Sequence, residues 1–350
     1  MSNVLAFDVP GQKGAIPKIG LGTATLHGDT CIRAVRDALR LGYRHIDTAL
    51  LYNNQEAVGE AIKQAIAAGE VTREQLWVTS KVAFYPACAD GKNTWVPISF
   101  HEQNCKGLEA TQAGVDECLR KLQLDYVDLM LIHNPCTALD DFAASGSPHA
   151  FELGKSMLTG EERDLVMQHR LGKVSIDMAA AEQSRAASWK ALEEARAAGK
   201  CRFIGVSNYP PQLVAAMAAY ATVMPAINQL ELHPRFSSPS LQAMAKQMGM
   251  VLTAYGSGNS VAIEKSPVIA AIAKQRGTSA VAVVLQWTAQ KGICIIPRTT
   301  VPAHMAENLQ APDAAPLADA DVAAIDALNQ AHCYYWWPLP LLPPGSKPDC

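Results

Sequence analysis

The sequence predicts an α/β protein built as a (β/α)8 TIM barrel. Eight short apolar runs, rich in branched and aromatic residues, are each followed by a segment whose apolar residues recur at helical spacing. The runs are largely apolar throughout, which is typical of parallel strands covered by helices. Eight such units close most economically into a barrel, and the usual length of about 250 residues fits within the chain with room for insertions.

The predicted strands and helices alternate along most of the chain. A glycine, Gly199, closes one of the longer helices, as glycines commonly do. The strands are predicted at Ile16–Thr25, Tyr43–Asp47, Gln75–Lys81, Tyr126–His133, Arg202–Ser207, Ala226–Gln229, Met250–Tyr255 and Ile293–Pro297. The helices are predicted at Asp29–Leu41, after Asn53, at Cys105–Leu122 and Glu182–Ala198, from near Pro210, and at Ser240–Met248, Val268–Arg276, Ser279–Gln290 and Ala303–Leu309.

We expect one domain over residues 1–350, with long insertions at about 83–104 and 134–181. Both insertions follow predicted strand ends, where connections are normally about 2–6 residues. The second contains a charged helical segment, Gly160–Arg170, and an aromatic and proline-rich loop follows at about 332–350. An open doubly wound sheet is the alternative, but the nearest phosphate-binding turn, which begins at Gly256, comes late and lacks its third glycine.

Composition narrows the class of protein. Hydrophobic residues make up 49% of the chain, charged residues 18%, and the net charge is -3, so nucleic acid and acidic membranes are not expected partners. We find no secretory signal and no apolar run long enough to cross a bilayer. The nine cysteines are scattered, without metal-ligand spacing, which favours a reducing cytoplasm and no bound metal.

Polar residues collect at the carboxyl ends of the predicted strands, where a TIM barrel has its active face. One such residue alone is usually a surface residue, but a set on nearly every strand indicates a site. The set comprises Thr23, Asp47 with Tyr52, Lys81, His133, Ser207, Asn208, Gln229, Tyr255 and Arg298.

Several segments resemble the aldo-keto reductase family, in the order in which that family carries them. The resemblance runs from about Gly20 to Asn308 and is interrupted by the two insertions. It rests on Gly20–Thr23, Leu41–Ile62, Thr79–Lys81, Asp128–Pro135, Ile204–Asn208, Asn228–Pro234 and Ile296–Arg298.

The resemblance implies reduction of an aldehyde or ketone by a reduced nicotinamide. Tyr52 would donate the proton, while Lys81 and Asp47 would lower its pKa from the ordinary value of about 10. His133 would donate a hydrogen bond to the carbonyl oxygen and orient it. The alternative reading is a structural ion pair between Asp47 and Lys81 at the barrel rim, with Tyr52 as a loop aromatic.

The same resemblance implies the cofactor residues. Ser207, Asn208 and Gln229 would bind the nicotinamide carboxamide, and Tyr255 would stack on its ring. The remaining candidates are Thr23, Asp47, Ser257, Arg298, Thr299, His304, Glu307 and Asn308. The family usually has an arginine where His304 stands, and a histidine is mostly neutral at pH 7. We therefore expect NADPH use with reduced preference over NADH, or use of both.

The substrate pocket departs from the family pattern. Ala24 and Asn134 stand where members often have tryptophan, so the pocket should be wider or more polar there. Trp336 and Trp337 in the tail could rebuild the wall, or could pack on the barrel exterior or at a subunit contact.

Two other functions compete with carbonyl reduction. The same barrel could serve as a cofactor-binding regulatory or interaction protein with little turnover, because fold does not guarantee activity. A metal-dependent hydrolase would need more histidine and carboxylate ligands at the strand ends than His133 and Asp47. The expected partner is a small carbonyl compound, and the expected assembly is a monomer or small homo-oligomer.

Overall fold

A computed structural model describes residues 6–9, 14–83, 106–135, 178–258, 263 and 265–330 of the chain. Eight parallel strands form one sheet in which each strand lies beside the next strand of the sequence. This is the order of a (β/α)8 barrel, and it confirms the predicted fold class. The strands are β3 (Leu21–Gly22), β4 (His45–Asp47), β5 (Trp77–Val82), β6 (Val127–Ile132), β7 (Cys201–Ser207), β8 (Ile227–Glu231), β9 (Val251–Tyr255) and β10 (Cys294–Ile295).

The barrel closes at a seam between the segments that contain β3 and β10. Ile19 and Ile295 form a parallel bridge, and the Gly20 N–H donates to the Ile295 carbonyl oxygen at 2.8 Å. A Cβ atom on Gly22 would lie 2.7 Å from the Ile296 carbonyl oxygen. A glycine is therefore needed at this position for the first and last strands to approach.

A short antiparallel hairpin, β1 (Ala6–Asp8) and β2 (Ala15–Pro17), precedes the barrel. Ile16 of β2 and Val9, which directly follows β1, pack in one buried cluster with Trp77 and Phe203 from inside the barrel. The hairpin therefore covers the amino-terminal end of the barrel. The strand β1 was not predicted, and Ile16 and Pro17 of β2 were predicted as the start of one longer strand, Ile16–Thr25.

The helices follow the strands and bury one face against them. Gly42 ends the first helix in the left-handed region, at φ 111°, which favours glycine. Predicted boundaries differ from the observed ones by a few residues, and the last helix was not predicted. The helices are α1 (Gly28–Leu41), α2 (Gln55–Ala67), α3 (Leu108–Leu122), α4 (Met178–Ala197), α5 (Pro211–Ala216), α6 (Pro239–Met248), α7 (Pro267–Arg276), α8 (Ala280–Gln290), α9 (Pro302–Gln310) and α10 (Asp319–Asp326).

Alternate residues of each strand point into the barrel, and this alternation selects the residues of its open end. Trp77, Leu131, Phe203, Ile227 and Val251 belong to one interior cluster. Steps of two residues along the chain from these five positions lead respectively to Lys81, His133, Ser207, Gln229 and Tyr255. The predicted site residues therefore converge because they share the interior face of the sheet.

Several predictions fall on other parts of the chain. The helical segment Gly160–Arg170, most of both insertions and the loop after residue 331 lie outside the described residues, so the single-domain organisation stays a prediction. Among the described helices, none is by itself long and apolar enough to cross a membrane; the pair α7 and α8 meets the criterion only when combined, across a bend of 93°.

Candidate active site

Lys81 is the centre of a hydrogen-bonded group at the carboxyl end of the barrel. Its Nζ donates to Asp47 Oδ1 at 2.6 Å, to the Thr48 carbonyl oxygen at 2.9 Å and to Tyr52 Oη at 3.2 Å. The lysine is fully buried, as is Asp47, which ends β4. Tyr52 lies in the 3-10 turn Leu50–Tyr52 that follows β4 and is only half-buried. A buried charge pair is therefore linked to the phenol of a side chain that is partly exposed.

His133 completes the predicted group. It directly follows β6, and its backbone N–H donates to the Val82 carbonyl oxygen at 2.8 Å. Its ring meets the ring of Tyr52 edge-on, with 5.6 Å between the centroids. The structure therefore brings together all four residues predicted for catalysis.

Burial and charge act on the ionisable groups of this site in opposite directions. Burial lowers the pKa of Lys81, but the charges of Asp47 and Tyr52 outweigh it and leave that pKa above its ordinary value. The lysine is therefore a fixed cation at neutral pH. The pKa of His133 lies well below 6.5, because burial disfavours the imidazolium and Lys81 and Lys106 repel it. His133 is therefore neutral, and one ring nitrogen carries a proton that it can donate.

Burial outweighs the effect of the neighbouring charges on Tyr52. Its pKa is raised above the ordinary value of 10.0, mainly because burial disfavours the phenolate. Lys81 lowers that pKa as expected, but Asp47 raises it, since a carboxylate repels a phenolate. Lys81 acts more strongly than Asp47, so the two together lower the pKa of Tyr52 as predicted, but burial, which the sequence does not reveal, acts more strongly than both and leaves that pKa raised.

The residues predicted to bind the nicotinamide lie in a second hydrogen-bonded group that touches the first. Ser207 Oγ donates to the Gln229 carbonyl oxygen at 2.8 Å, and Tyr255 Oη donates to Asn208 Oδ1 at 2.7 Å. Asn208 Nδ2 donates to the His133 carbonyl oxygen at 3.1 Å. The amide and hydroxyl groups can hydrogen-bond a carboxamide, and the tyrosine ring can stack on the flat ring that carries it.

Gln229 connects the two groups. Its Nε2 donates to Asp47 Oδ2 at 2.7 Å, so Asp47 is bonded on one oxygen to Lys81 and on the other to Gln229. The sequence suggested a catalytic role for Asp47 and a cofactor role for Gln229, but it did not indicate this bond. The only available signal was that both residues occupy interior positions near the carboxyl ends of their strands.

The residues predicted for the adenosine phosphate make other contacts. Arg298 donates to the Ala24 carbonyl oxygen at 3.2 Å and is bonded to the Thr25 hydroxyl. Glu307 Oε1 accepts the backbone N–H of Ser279 at 3.1 Å, at the start of α8. The Thr299 hydroxyl accepts the Val301 N–H, His304 is exposed in the first turn of α9, and Asn308 is buried. Their cofactor roles stay predictions.

The other candidates are placed as follows. Thr23 Oγ1 donates to the Asp47 carbonyl oxygen at 2.8 Å, and Ser257 Oγ donates to the Leu232 carbonyl oxygen at 2.9 Å. Ala24 is half-buried, whereas Asn134 is buried and its Oδ1 accepts from Lys106 Nζ at 3.1 Å. Trp336 and Trp337 lie outside the described residues.

Sequence reasoning also missed supporting residues. Asn54 Nδ2 donates to the carbonyl oxygens of Thr23 and Leu26, while its Oδ1 accepts from the Thr48 hydroxyl. This amide fixes the turn that carries Tyr52. Within the described part of the chain, no three histidine, cysteine or acidic side chains are grouped so that they could hold a metal ion.

The fold and the polar groups at its carboxyl end are those of a TIM-barrel enzyme. The chain belongs to the aldo/keto reductase family, whose sequence profile matches residues 18–330. This assignment confirms the predicted family and enzyme class, an NAD(P)H-dependent carbonyl reductase.

Individual proteins show the same relationship. An aldo/keto reductase of Synechocystis sp. is 32% identical over 340 residues, which cover 93% of this chain and 90% of that protein. An NAD(P)H-dependent D-xylose reductase of Scheffersomyces stipitis is 32% identical over 307 residues, covering 84% and 85% of the two chains. The solved structure of a Bombyx mori aldo-keto reductase in complex with NADP is similar with a TM-score of 0.68 and 27% identity, and 92% of each chain is covered.

Proposed function

We propose that this protein reduces an aldehyde or ketone to an alcohol with NADPH, and that Tyr52 donates the proton. The observation that carries the proposal is the position of Lys81 Nζ, 2.6 Å from Asp47 Oδ1 and 3.2 Å from Tyr52 Oη. When bound, the reduced nicotinamide supplies the hydride that the carbonyl carbon accepts. The carbonyl oxygen gains negative charge and takes its proton from the Tyr52 hydroxyl.

Each of the other three residues supports that proton transfer. Lys81 stabilises the phenolate that Tyr52 becomes, which matters because burial alone disfavours that anion. Asp47 holds the buried ammonium in position and offsets the free energy of its burial. The neutral His133 donates an N–H to the carbonyl oxygen, which orients the substrate and stabilises the developing charge.

The chain's own groups fit a nicotinamide beside Tyr52. Ser207, Asn208 and Gln229 offer hydroxyl and amide partners for a carboxamide, and the half-buried ring of Tyr255 offers a stacking surface. Arg298 has the fork geometry that suits a phosphate, and Thr299, Glu307 and Asn308 accompany it. Thr23 and Ser257 are the remaining candidates near this end of the barrel.

The Tyr52 proposal is tested by comparing wild type with Tyr52→Phe. Purified protein is mixed with NADPH and a panel of aromatic aldehydes, ketones and open-chain sugars such as D-xylose, which the Scheffersomyces relative is named for. We expect kcat/KM to fall by about 10²–10⁴-fold in Tyr52→Phe, since the proton donor is lost.

Tyr126→Phe is the matched control, because Tyr126 precedes β6 at the opposite end of the barrel and should leave activity unchanged. If wild type and Tyr52→Phe turn over the whole panel at the same rate, the enzyme proposal fails. A cofactor-binding protein with little turnover would then be favoured, and NADPH binding followed by fluorescence would establish it.

We propose that NADPH is used with reduced preference over NADH, or that both are used. The exposed His304 stands in the first turn of α9, where a permanent positive charge would be close to a phosphate bound by Arg298. His304→Arg should raise the NADPH-to-NADH ratio of kcat/KM by a factor on the order of 5–30, equivalent to about 1–2 kcal/mol. Gln310→Arg, at the other end of α9, is the control, and an unchanged ratio in His304→Arg contradicts the proposal.

We also infer a cytoplasmic location and a monomer or small homo-oligomer. The four described cysteines, Cys31, Cys118, Cys201 and Cys294, are free and buried, which suits a reducing compartment. Light scattering during gel filtration would give the oligomeric state.

A further inference from the structure

A second buried lysine lies beside the proposed catalytic group. Lys106 precedes the first turn of α3, is 2% exposed, and donates from Nζ to the Ala83 carbonyl oxygen at 3.0 Å and to Asn134 Oδ1 at 3.1 Å. Ala83 comes two residues after Lys81, and Asn134 comes directly after His133. Lys106 therefore connects the carboxyl ends of β5 and β6 just beyond two of the proposed catalytic residues.

The backbone at this junction is strained. Ala83 has φ 55°, in the left-handed region that side chains other than glycine rarely adopt. Such a conformation persists only where the surrounding contacts hold it. The Lys106 bond to the Ala83 carbonyl oxygen and the His133 N–H bond to the Val82 carbonyl oxygen hold it from two sides. Lys106 therefore helps to set the relative position of the two strand ends.

We propose that Lys106 is a positioning residue for carbonyl reduction, which places the His133 imidazole against Tyr52 and puts a second buried positive charge behind it. This inference rests on the proposed function, because it assigns Lys106 a part in the work of His133. In this chain Asn134 supplies one of the acceptors for the ammonium, at a position where the family often has tryptophan. The departure in the pocket is therefore in direct contact with the buried lysine.

The effect of the Lys106 charge on His133 depends on the other charged and titratable groups around the imidazole. From the described elements packed around it, Lys81 faces it from β5, Tyr52 from the turn after β4, and Lys106 from the start of α3; Asp47 balances Lys81. Burial and both lysines lower the pKa of His133. Removing the Lys106 charge should therefore raise that pKa, so that His133 becomes protonated at a higher pH and no longer donates from a neutral ring.

The test combines kinetics with a measurement that needs no turnover. Full-length wild type is compared with Lys106→Met, which removes the charge, and with Lys106→Arg, which keeps it. Asn134→Asp keeps the contact and offsets the charge. Lys190→Met, on the exposed surface of α4, is the matched control. For each, kcat/KM is measured against pH, and the His133 ring nitrogens are followed by NMR of 15N-histidine-labelled protein without substrate, assigned with His133→Gln.

We expect the protonation of His133 in Lys106→Met and Asn134→Asp to move up by about half a pH unit or more, since a nearby charge shifts a pKa by amounts of this order. The acid limb of kcat/KM should move with it, while Lys106→Arg and Lys190→Met keep the limb of wild type. If Lys106→Met does not fold, Asn134→Asp, which keeps the lysine and offsets its charge, is compared with wild type instead. The proposal is overturned if the folded variant in which the Lys106 charge is removed or offset titrates His133 as wild type does. The NMR result stands whether or not any tested carbonyl is reduced, so failure of this inference and failure of the proposed function are distinguishable.

Discussion

The two ends of the barrel each contain a buried aspartate, and the two carboxylates are neutralised differently. At the carboxyl end, Asp47 is bonded to Lys81 and Gln229, and Lys81 is fully buried. At the amino end, Asp128 is the second residue of β6, on the face opposite to the barrel interior, and accepts from Arg73 at 2.8 Å, from Arg202 at 3.1 Å and from the Val78 N–H at 2.9 Å. Both carboxylates are satisfied, but only the cations of Asp128 reach solvent.

The difference in the solvation of their cations indicates that the Asp128 ion pairs are structural, whereas the Asp47–Lys81 pair acts on the reactive phenol. The charges of Arg73 and Arg202 are partly solvated, so water compensates for much of the electrostatic effect of a substitution at one of them. The fully buried Lys81 ammonium is paired with Asp47 and also donates to the Thr48 carbonyl oxygen and to Tyr52, so a change in its charge acts directly on the phenol. We therefore expect substitutions at the two ends to affect different quantities.

The largest expected effect is at the carboxyl end. Lys81→Met should lower kcat/KM by about 10²–10⁴-fold, because the phenolate of Tyr52 loses its stabilising cation. The measurement is the rate of NADPH oxidation with the best carbonyl substrate of the panel, at a temperature where the variant is folded. Lys63→Met, an exposed lysine on α2, is the control; equal activity in Lys81→Met and Lys63→Met would show that the buried pair is only structural.

At the amino end, the expected effect is on stability. Asp128→Asn should lower the free energy of unfolding by about 1.5–3 kcal/mol, because hydrogen bonds to charged partners are lost. Urea denaturation followed by circular dichroism measures this change. The kcat/KM of the folded variant should stay close to that of wild type, and a loss comparable to that of Lys81→Met would remove the distinction between the ends.

His45 lies between the two ends, on the interior face of β4, and gives a pH dependence. Burial and the charge of Lys81 lower its pKa to about 3. The unfolded chain, with a histidine pKa of about 6.5, binds one more proton than the folded chain between these values. Stability should therefore fall by about 1.4 kcal/mol for each unit that pH is lowered below about 6.5.

His45→Gln removes that contribution, so its unfolding free energy should depend less steeply on pH between pH 6 and pH 4.5. Urea denaturation of both proteins across that range measures the difference in slope. Identical slopes would mean that His45 takes up its proton in the folded barrel as it does in the unfolded chain.

The smallest effect is expected at Thr23, beside Asp47. Thr23→Val removes the hydroxyl bond to the Asp47 carbonyl oxygen and keeps the shape, so it should cost about 0.5–1.5 kcal/mol of stability. The KM for NADPH is measured in the same variant. A raised KM supports the predicted cofactor role of Thr23, and an unchanged KM shows that the hydroxyl serves only the barrel.

The sequence was most informative where a local pattern determines geometry. Asp47, Lys81 and Gln229 lie on separate strands, yet their place near the carboxyl ends of the predicted strands was enough to assign all three to the active face of the barrel. The short strands β3 and β10 contain two residues each, so their boundaries were predicted too long. Strand length there is set by pairing across the seam, which depends on residues far apart in the chain.

The burial and the partners of the ionisable groups could not be predicted. The upward shift of the Tyr52 pKa follows from desolvation, which depends on everything packed around the phenol. Lys106 was missed because it lies at the edge of an insertion, with nothing local to show that its ammonium would reach the ends of β5 and β6.

The seam at Ile19 and Ile295 also bears on how the chain is made. Asp47, Tyr52, Lys81 and His133 are all synthesised before residue 134, yet the sheet that holds them stays open until Ile295 has been added. Until Ile295 has been added, the chain cannot complete the closed sheet that surrounds the Lys81 ammonium. Ribosome-bound chains that end before β10 should expose unpaired strand edges, which makes them candidates for chaperone binding.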